Sequence, residues 1–275
     1  MAAFVRLTHP FPVLVDGLAT GAVVVLAGGS TVVVSALAAG MMSLQAAIGI
    51  VNDVVDAPLD AGRKPGKPIP VGLVGPRAAV RLAVVAAAAG LILSALQGLP
   101  TLAVATLILA VGFLYDLRLK GTAWSWLPFA AGIPLLPVYA WVGATGSVPT
   151  LFGTLLPAAF CAGAALAIAN AMVDVERDRD AGVSSVALTL GPRRSWWVHL
   201  VLHAAVGAIA SASLLARGVP HAVVLVGVAG PAVVVGAGVA LAGARAADHR
   251  ERGWELEAVG IALLAVGWLL LAARA

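Results

Sequence analysis

Residues 50–72, IVNDVVDAPLDAGRKPGKPIPVG, decide how this chain is read. Asn52, Asp56 and Asp60 follow one another at steps of four, with Asp53 beside them. Arg63, Lys64 and Lys67 come next, among prolines and glycines. A step of four stacks side chains along one helix face, so the stretch reads as the polar end of a helix that runs into a basic loop. Carboxylates stacked this way repel one another and need cations to sit together.

The surroundings make that cluster stand out. Of 275 residues, 61% are hydrophobic and 11% are charged, with a mean hydropathy of +1.02. Soluble domains carry about 25% charged residues. A water-exposed fold of this size has nowhere to put so much apolar side chain, and a lipid bilayer is the solvent that fits. The sequence pI near 9.8 raises nucleic acid as a partner. The cations, however, lie in loops between apolar runs with no interleaved aromatic reading surface, so no nucleic-acid binding is expected. Cys161 is the single cysteine and lies in an apolar run. It forms no internal disulfide and no cysteine metal cluster, and reads as a buried inert thiol. The opening MAAFVRLTHPFP shows no charged region leading to a cleavage site, and no signal peptide is expected.

Crossing the hydrocarbon core takes about 20 apolar residues. Nine runs qualify: 11–28, 31–51, 78–97, 100–115, 124–144, 151–173, 195–215, 219–243 and 254–272. They are rich in Ala, Gly, Val and Leu, and the small residues allow close helix packing. Pro128, Pro134 and Pro137 predict kinks in the fifth run that line a cavity. Of the 17 Lys and Arg, all but Arg217 and Arg274 fall on the side of the N-terminal stretch and the loops after even-numbered runs, Arg81 in the first turn of the third run. The positive-inside rule then sets the N-terminus in the cytoplasm and, after nine spans, the C-terminus outside. Of the 13 Asp and Glu, all but Asp16 gather on that same cytoplasmic face. Orientation does not require this of acids, which contribute little to it.

Residues 168–191, IANAMVDVERDRDAGVSSVALTLG, supply the reason. Asn170, Asp174 and Asp178 repeat the spacing of Asn52, Asp56 and Asp60. Each set ends an even-numbered run, and each is followed by cationic residues and glycine. The repeat predicts two related halves facing each other across one cavity. Carboxylates converging at a membrane mouth call for hard divalent ions with oxygen ligands. Mg²⁺ is typically held by one or two carboxylates together with substrate phosphates. No His or Cys stands at ligand spacing, which argues against zinc. The expected arrangement is two carboxylate clusters, each holding Mg²⁺, bridged by a diphosphate. Arg63, Lys64, Lys67, Lys120, Arg177 and Arg179 are placed to neutralise the remaining phosphate charge.

These residues carry a family resemblance. NDVVDAPLDAGRKPGKPIPVG is similar to the first signature, N-D-x-x-D-x-x-x-D, of the UbiA superfamily of intramembrane prenyltransferases, with its usual continuation. DVERDRDAGVSSVALTLG resembles the second signature, D-x-x-x-D followed by glycine and a short apolar strand-like run. YDLRLKGT, residues 115–122, resembles the family's tyrosine–leucine–lysine loop between the fourth and fifth spans. The resemblance implies an all-α membrane bundle of nine transmembrane helices around a central cavity, formed as a single domain over residues 1–275. It implies Mg²⁺-dependent loss of diphosphate from a prenyl diphosphate and attack on the allylic cation by a lipophilic or aromatic acceptor. Carried over by position, Asn52, Asp53, Asp56 and Asp60 hold one metal. Asp174 and Asp178 hold the other, with Asn170 in the leading place. Arg63 and Lys120 contact the diphosphate, and Tyr115 joins the catalytic set. Two positions depart from the pattern. Asp116 follows Tyr115 where many members have serine, and Asn170 stands where several aromatic prenyltransferases have aspartate.

The expected setting is a bacterial or archaeal cytoplasmic membrane, with lipid around the helices and the site facing the cytoplasm. Phe113, Tyr115, Trp124, Trp126, Phe129, Tyr139 and Trp141 offer aromatic faces to a carbocation, although Trp and Tyr also form interfacial belts. His9 and Asp16 lie at the first span and can approach an acceptor, whereas His199, His203, His221 and His249 show no pattern. A terpene cyclase begins with the same ionisation and takes no acceptor, so the motifs serve it equally. A cation transporter with acidic gates would favour acids at mid-membrane, and these acids lie at helix ends.

Overall fold

A computed structural model of the chain describes residues 2–62 and 66–275, so Arg63 and Lys64 lie outside the described residues. The described residues are helical throughout their regular structure. Among the described residues eight segments are long and apolar enough to cross a membrane, and Pro10–Leu26 is a shorter apolar helix. Its 17 residues match the lower bound of about 17 for a span. Counted together, these are the nine runs expected.

The chain divides into two compact units, Met1–Arg118 with Leu135–Val148, and Leu119–Pro134 with Pro149–Ala275. The first holds α1 (Ala2–Leu7), α2 (Pro10–Leu26), α3 (Thr31–Asp60), α4 (Pro76–Ala95) and α5 (Leu99–Leu114). It also holds most of a π-helical turn at Tyr115–Leu119, and α7 (Leu135–Thr145). The second holds α6 (Leu127–Gly132), α8 (Phe152–Val173), α9 (Val175–Ala181), α10 (Val186–Leu190), α11 (Pro192–Ala216), α12 (His221–Ala242) and α13 (Ala247–Ala272). Each unit carries one aspartate motif.

In the first unit, α3 begins where the Ser30 hydroxyl accepts from the Val33 N–H at 3.5 Å, an N-cap that satisfies one of the orphan donors of the first turn. It runs 30 residues to Asp60, nine beyond the apolar run, because the motif continues the helix in polar residues. Pro58 sits inside that last turn and removes one backbone donor. Ala61 is extended and Gly62 has φ 74°, which ends the helix. The loop that follows is held by its own apolar residues. Ile69 and Val74 are buried with Leu7, Ile50, Ala79 and Ala83, and Leu73 donates to the Pro68 carbonyl at 3.0 Å.

The fifth run is broken at 133–134, as its prolines predict. Leu127–Gly132 belongs to the second unit and Leu135–Thr145 to the first. Tyr139, one of the aromatic candidates, is fully buried, with its hydroxyl 2.9 Å from the Ser94 hydroxyl.

The second unit corrects three expectations. The run VALTL is helical, α10, and not strand-like. Five residues with no partner strand close one helical turn between Ser185 and Gly191 instead. The second motif does not continue a single helix either. Helix α8 stops at Val173, Asp174 takes φ −99° and ψ 8°, and α9 carries Asp178. The last span starts at Ala247, seven residues before the apolar run, because its first two turns are charged. Helices α12 and α13 approach until a Cβ on Gly253 would lie 2.8 Å from the Gly238 carbonyl oxygen. Only glycine fits a backbone-to-backbone approach of that kind.

Candidate active site

In the first unit the long helix α3 delivers its acids to the protein interior. Asp53 is 2% exposed, and Asp56 and Asp60 are buried as well, while Asn52 is half-buried. Lys67 and the His9 ring close on Asp53. His9 Nε2 lies 2.8 Å from Asp53 Oδ1, and Lys67 forms an ion pair with the same oxygen. Lys67 Nζ is 3.4 Å from His9 Nε2. Asp53 Oδ2 is buried without a hydrogen-bond partner. Lys67 reaches Asp53 because the loop that carries it is pinned by Ile69 and Val74.

The sequence places His9 at the first span, able to approach an acceptor, and the structure brings its ring onto Asp53. His9 stands between α1 and α2 at φ 53°, a left-handed conformation uncommon for a side chain other than glycine. Its ring packs so close to α3 that a Cβ on Gly49 would meet it at 3.0 Å. Backbone strain of this kind concentrates at functional positions. The local signal was a histidine directly before Pro10.

Asn52 turns to a second element. Its Nδ2 donates to Asp116 Oδ1 at 2.8 Å. Asp116 is buried on the π-helical turn that begins at Tyr115. Such turns are rare and frequent at functional sites. Sequence reading marked Asp116 only as a departure from pattern, and the structure makes it the partner of the first motif.

In the second unit Asn170 and Asp174 are half-buried and Asp178 follows on α9. Arg177 forms an ion pair with Asp174, and the Asp178 N–H donates to the Asp174 carbonyl at 2.8 Å. Gly182 at φ 68° caps α9. Ser184 N–H then donates to the Gly121 carbonyl at 2.9 Å, which ties the segment after the motif to the loop that bears Lys120. Met172 and Val186 are buried together with Ile168, Ala187 and Ala242, and this cluster packs the end of α8 that leads into Asp174 against α10.

The donor chemistry fits a hard divalent cation. The motif side chains offer oxygen ligands, and one of them, Asp53 Oδ2, is buried without a partner. Among the described residues no three His, Cys, Asp or Glu come together as a ready-made cage. Mg²⁺ is typically held by one or two carboxylates and completes its shell with waters and substrate phosphate.

Two histidines that showed no pattern in sequence also find a partner. His203 Nε2 lies 2.9 Å from Glu257 Oε2 and His199 Nε2 lies 3.6 Å from Glu257 Oε1. The two rings meet edge to face at 5.9 Å, and Glu257 is 0% exposed.

The profile of the UbiA prenyltransferase family matches residues 17–255. Digeranylgeranylglyceryl phosphate synthase from Thermococcus gammatolerans is 31% identical over 207 residues, 72% of each chain. 4-hydroxybenzoate octaprenyltransferase from Shewanella pealeana is 32% identical over 196 residues, covering 67% of this chain and 65% of that one. Among solved structures, a UbiA homologue from Aeropyrum pernix K1 superposes with a TM-score of 0.75 at 22% identity, over 92% of this chain and 96% of that one. A UbiA homologue from Archaeoglobus fulgidus bound to GPP and Mg²⁺ superposes with a TM-score of 0.75 at 16% identity, over 98% and 99%.

Proposed function

The chain belongs to the UbiA prenyltransferase family, and on that premise we propose that it moves a prenyl group from a prenyl diphosphate to a lipophilic or aromatic acceptor, with Mg²⁺ and release of diphosphate. It is an integral membrane protein and a prenyltransferase. The observation that carries the reading is the burial of Asp53, Asp56 and Asp60 on one helix. A stripe of buried acids is costly unless cations meet it.

In this reading Asn52, Asp53, Asp56 and Asp60 would hold one Mg²⁺, and Asn170, Asp174 and Asp178 would hold the other. When bound, the metal supplies positive charge against the departing diphosphate. Lys120, Arg63 and Lys64 add to that charge. Lys67 and Arg177 sit on the motif carboxylates Asp53 and Asp174, positions where a diphosphate oxygen is the competing anionic partner. The allylic C–O bond breaks, its electron pair leaves with the diphosphate, and the acceptor's nucleophile takes the cation and sheds a proton. Tyr115 offers the cation its ring face. Asp116 orients Asn52 through the 2.8 Å hydrogen bond, and apolar helices keep water from quenching the cation.

The relatives' names span a glyceryl phosphate lipid and 4-hydroxybenzoate, which supports an acceptor that carries an acidic group. The archaeal structure bound to GPP and Mg²⁺ supports the donor class. The chain acts as a single domain over residues 1–275, with its N-terminus and both motifs toward the cytoplasm. Cysteines introduced as Ala181→Cys and Ala275→Cys should label from the cytoplasmic and outer sides respectively; labelling of both from one side overturns the nine-span topology. In nanodiscs with Mg²⁺, prenyl diphosphates of ten to twenty carbons should be consumed once an acceptor is added. Asp56→Asn and Asp174→Asn should each abolish diphosphate release while the protein stays folded. Cyclic hydrocarbons or their alcohols formed without acceptor would instead establish a terpene cyclase.

A further inference from the structure

The second unit contains a cavity that the proposed prenyl transfer leaves out, and Arg179, expected from sequence at the diphosphate, lines this cavity. It measures about 570 Å³ and lies among α9, the start of α11, the loop after α12 and the start of α13. Arg179, Arg193, Arg245 and Arg250 line it, against the single carboxylate of Glu176. Trp196, Met172 and Ala242 make its wall apolar.

Arg250 is the built part of the site. It is 5% exposed. One terminal nitrogen donates to the carbonyls of Ala244 at 3.1 Å and Arg245 at 2.7 Å. The other donates to the Val173 carbonyl at 3.3 Å and pairs with Glu176. Its Nε is buried with no partner. Glu176 pairs with Arg250, and the solvent-exposed Arg179, Arg193 and Arg245 give the cavity wall a net positive charge. The 25-residue helix α11 also starts here, with no side-chain cap on its first turn. Its positive end and unpaired N–H groups favour an anion.

Positive charge and an apolar wall together select a ligand. We infer that this cavity binds a phosphate ester with an apolar portion. Guanidinium groups meet phosphate with paired N–H donors, and the volume lies within the range of about 300–1,000 Å³ usual for small-molecule sites. The shared chemistry has two sources, the headgroup of an acidic membrane lipid or a soluble organic phosphate. The site is separate from the aspartate motif. Val175, Glu176 and Arg179 of α9 line the cavity, whereas Asp178 leaves the helix on another side, since successive residues turn by about 100°. Occupancy therefore steadies α9 from behind.

The test uses the full chain in phosphatidylcholine nanodiscs with EDTA, which withholds the divalent cation that the aspartate motifs need to grip phosphate. Phosphatidic acid in the disc, read by native mass spectrometry, and glycerol 3-phosphate in solution, read by calorimetry, are the two probes. The double variant Arg193→Gln/Arg245→Gln should weaken binding at least about tenfold, since charge-assisted hydrogen bonds are the strong ones. The pair Arg77→Gln/Arg81→Gln removes equal charge at the start of α4 in the first unit and should change nothing. Variant-sensitive binding of phosphatidic acid alone identifies a lipid headgroup, and variant-sensitive binding of glycerol 3-phosphate identifies a soluble ester; either supports the site. Absence of binding by both probes, or equal loss in the two double variants, overturns it.

Discussion

Removing the Lys67 ammonium tests how the first aspartate motif is held. Asp53 is almost fully buried, and its Oδ1 is met by Lys67 and His9 while Oδ2 has no partner. In Lys67→Met the carboxylate keeps only His9. Breaking a buried ion pair by removing one partner costs about 3–5 kcal/mol when the remaining charge is stranded. Two features lower that figure here. His9 still contacts Oδ1 at 2.8 Å, and the Lys67 side chain is 21% exposed, so water can follow into the vacated position. The expected loss is about 2 kcal/mol, within the range for an unsatisfied buried group. Asp53→Asn strands only a lysine that water already reaches, and about 1 kcal/mol is expected. The double variant Asp53→Asn/Lys67→Met strands neither charge. It should be more stable than the sum of the single losses predicts, by about 1–2 kcal/mol. Denaturation followed by fluorescence of the chain's 7 tryptophans in mixed micelles measures all four corners of the cycle. Losses that add to within about 0.5 kcal/mol refute the pair as a structural unit.

Other outcomes follow from the same geometry. Asp116→Ala removes the acceptor for Asn52 Nδ2, and the Mg²⁺ concentration for half-maximal diphosphate release should rise about 10–100-fold, as when groups behind metal ligands are lost; an unchanged Mg²⁺ titration would disprove the coupling. His203→Ala leaves Glu257 buried beside a histidine 3.6 Å away and should lower stability by about 1–3 kcal/mol, whereas Glu257→Gln, which buries no charge, should lose less; the reverse order in thermal melts would contradict the pairing. Gly253→Ala sets a Cβ 2.8 Å from the Gly238 carbonyl oxygen and should destabilise by about 1–3 kcal/mol, while Gly236→Ala, with nothing within 4 Å, serves as the tolerated control in the same melt.

Much of the site was legible in the sequence because its signal is local. Asn52, Asp56 and Asp60 share a helix face by spacing alone, and α3 does carry them to its end. The same spacing misled at Asp174, where the helix is interrupted, since a step of four reports a helix face only while the helix continues. Likewise VALTL has strand-forming residues, yet without a partner strand it coils into α10.

The sequence by itself determined the solvent, the helices and the polar ends. Hydropathy and run length are sums over neighbouring residues, and they need no knowledge of packing to demand a bilayer and nine helical segments. The tertiary structure decided which polar groups meet. His9 joins Asp53 across 44 positions, His203 joins Glu257 across 54 and Asn52 joins Asp116 across 64. Those pairings depend on which helix faces pack together and on where a π-helical turn or a pinned loop redirects a side chain. In an apolar interior a polar group must find such a partner or remain unsatisfied, so packing, and not spacing, chose His9, Asp116 and Arg250.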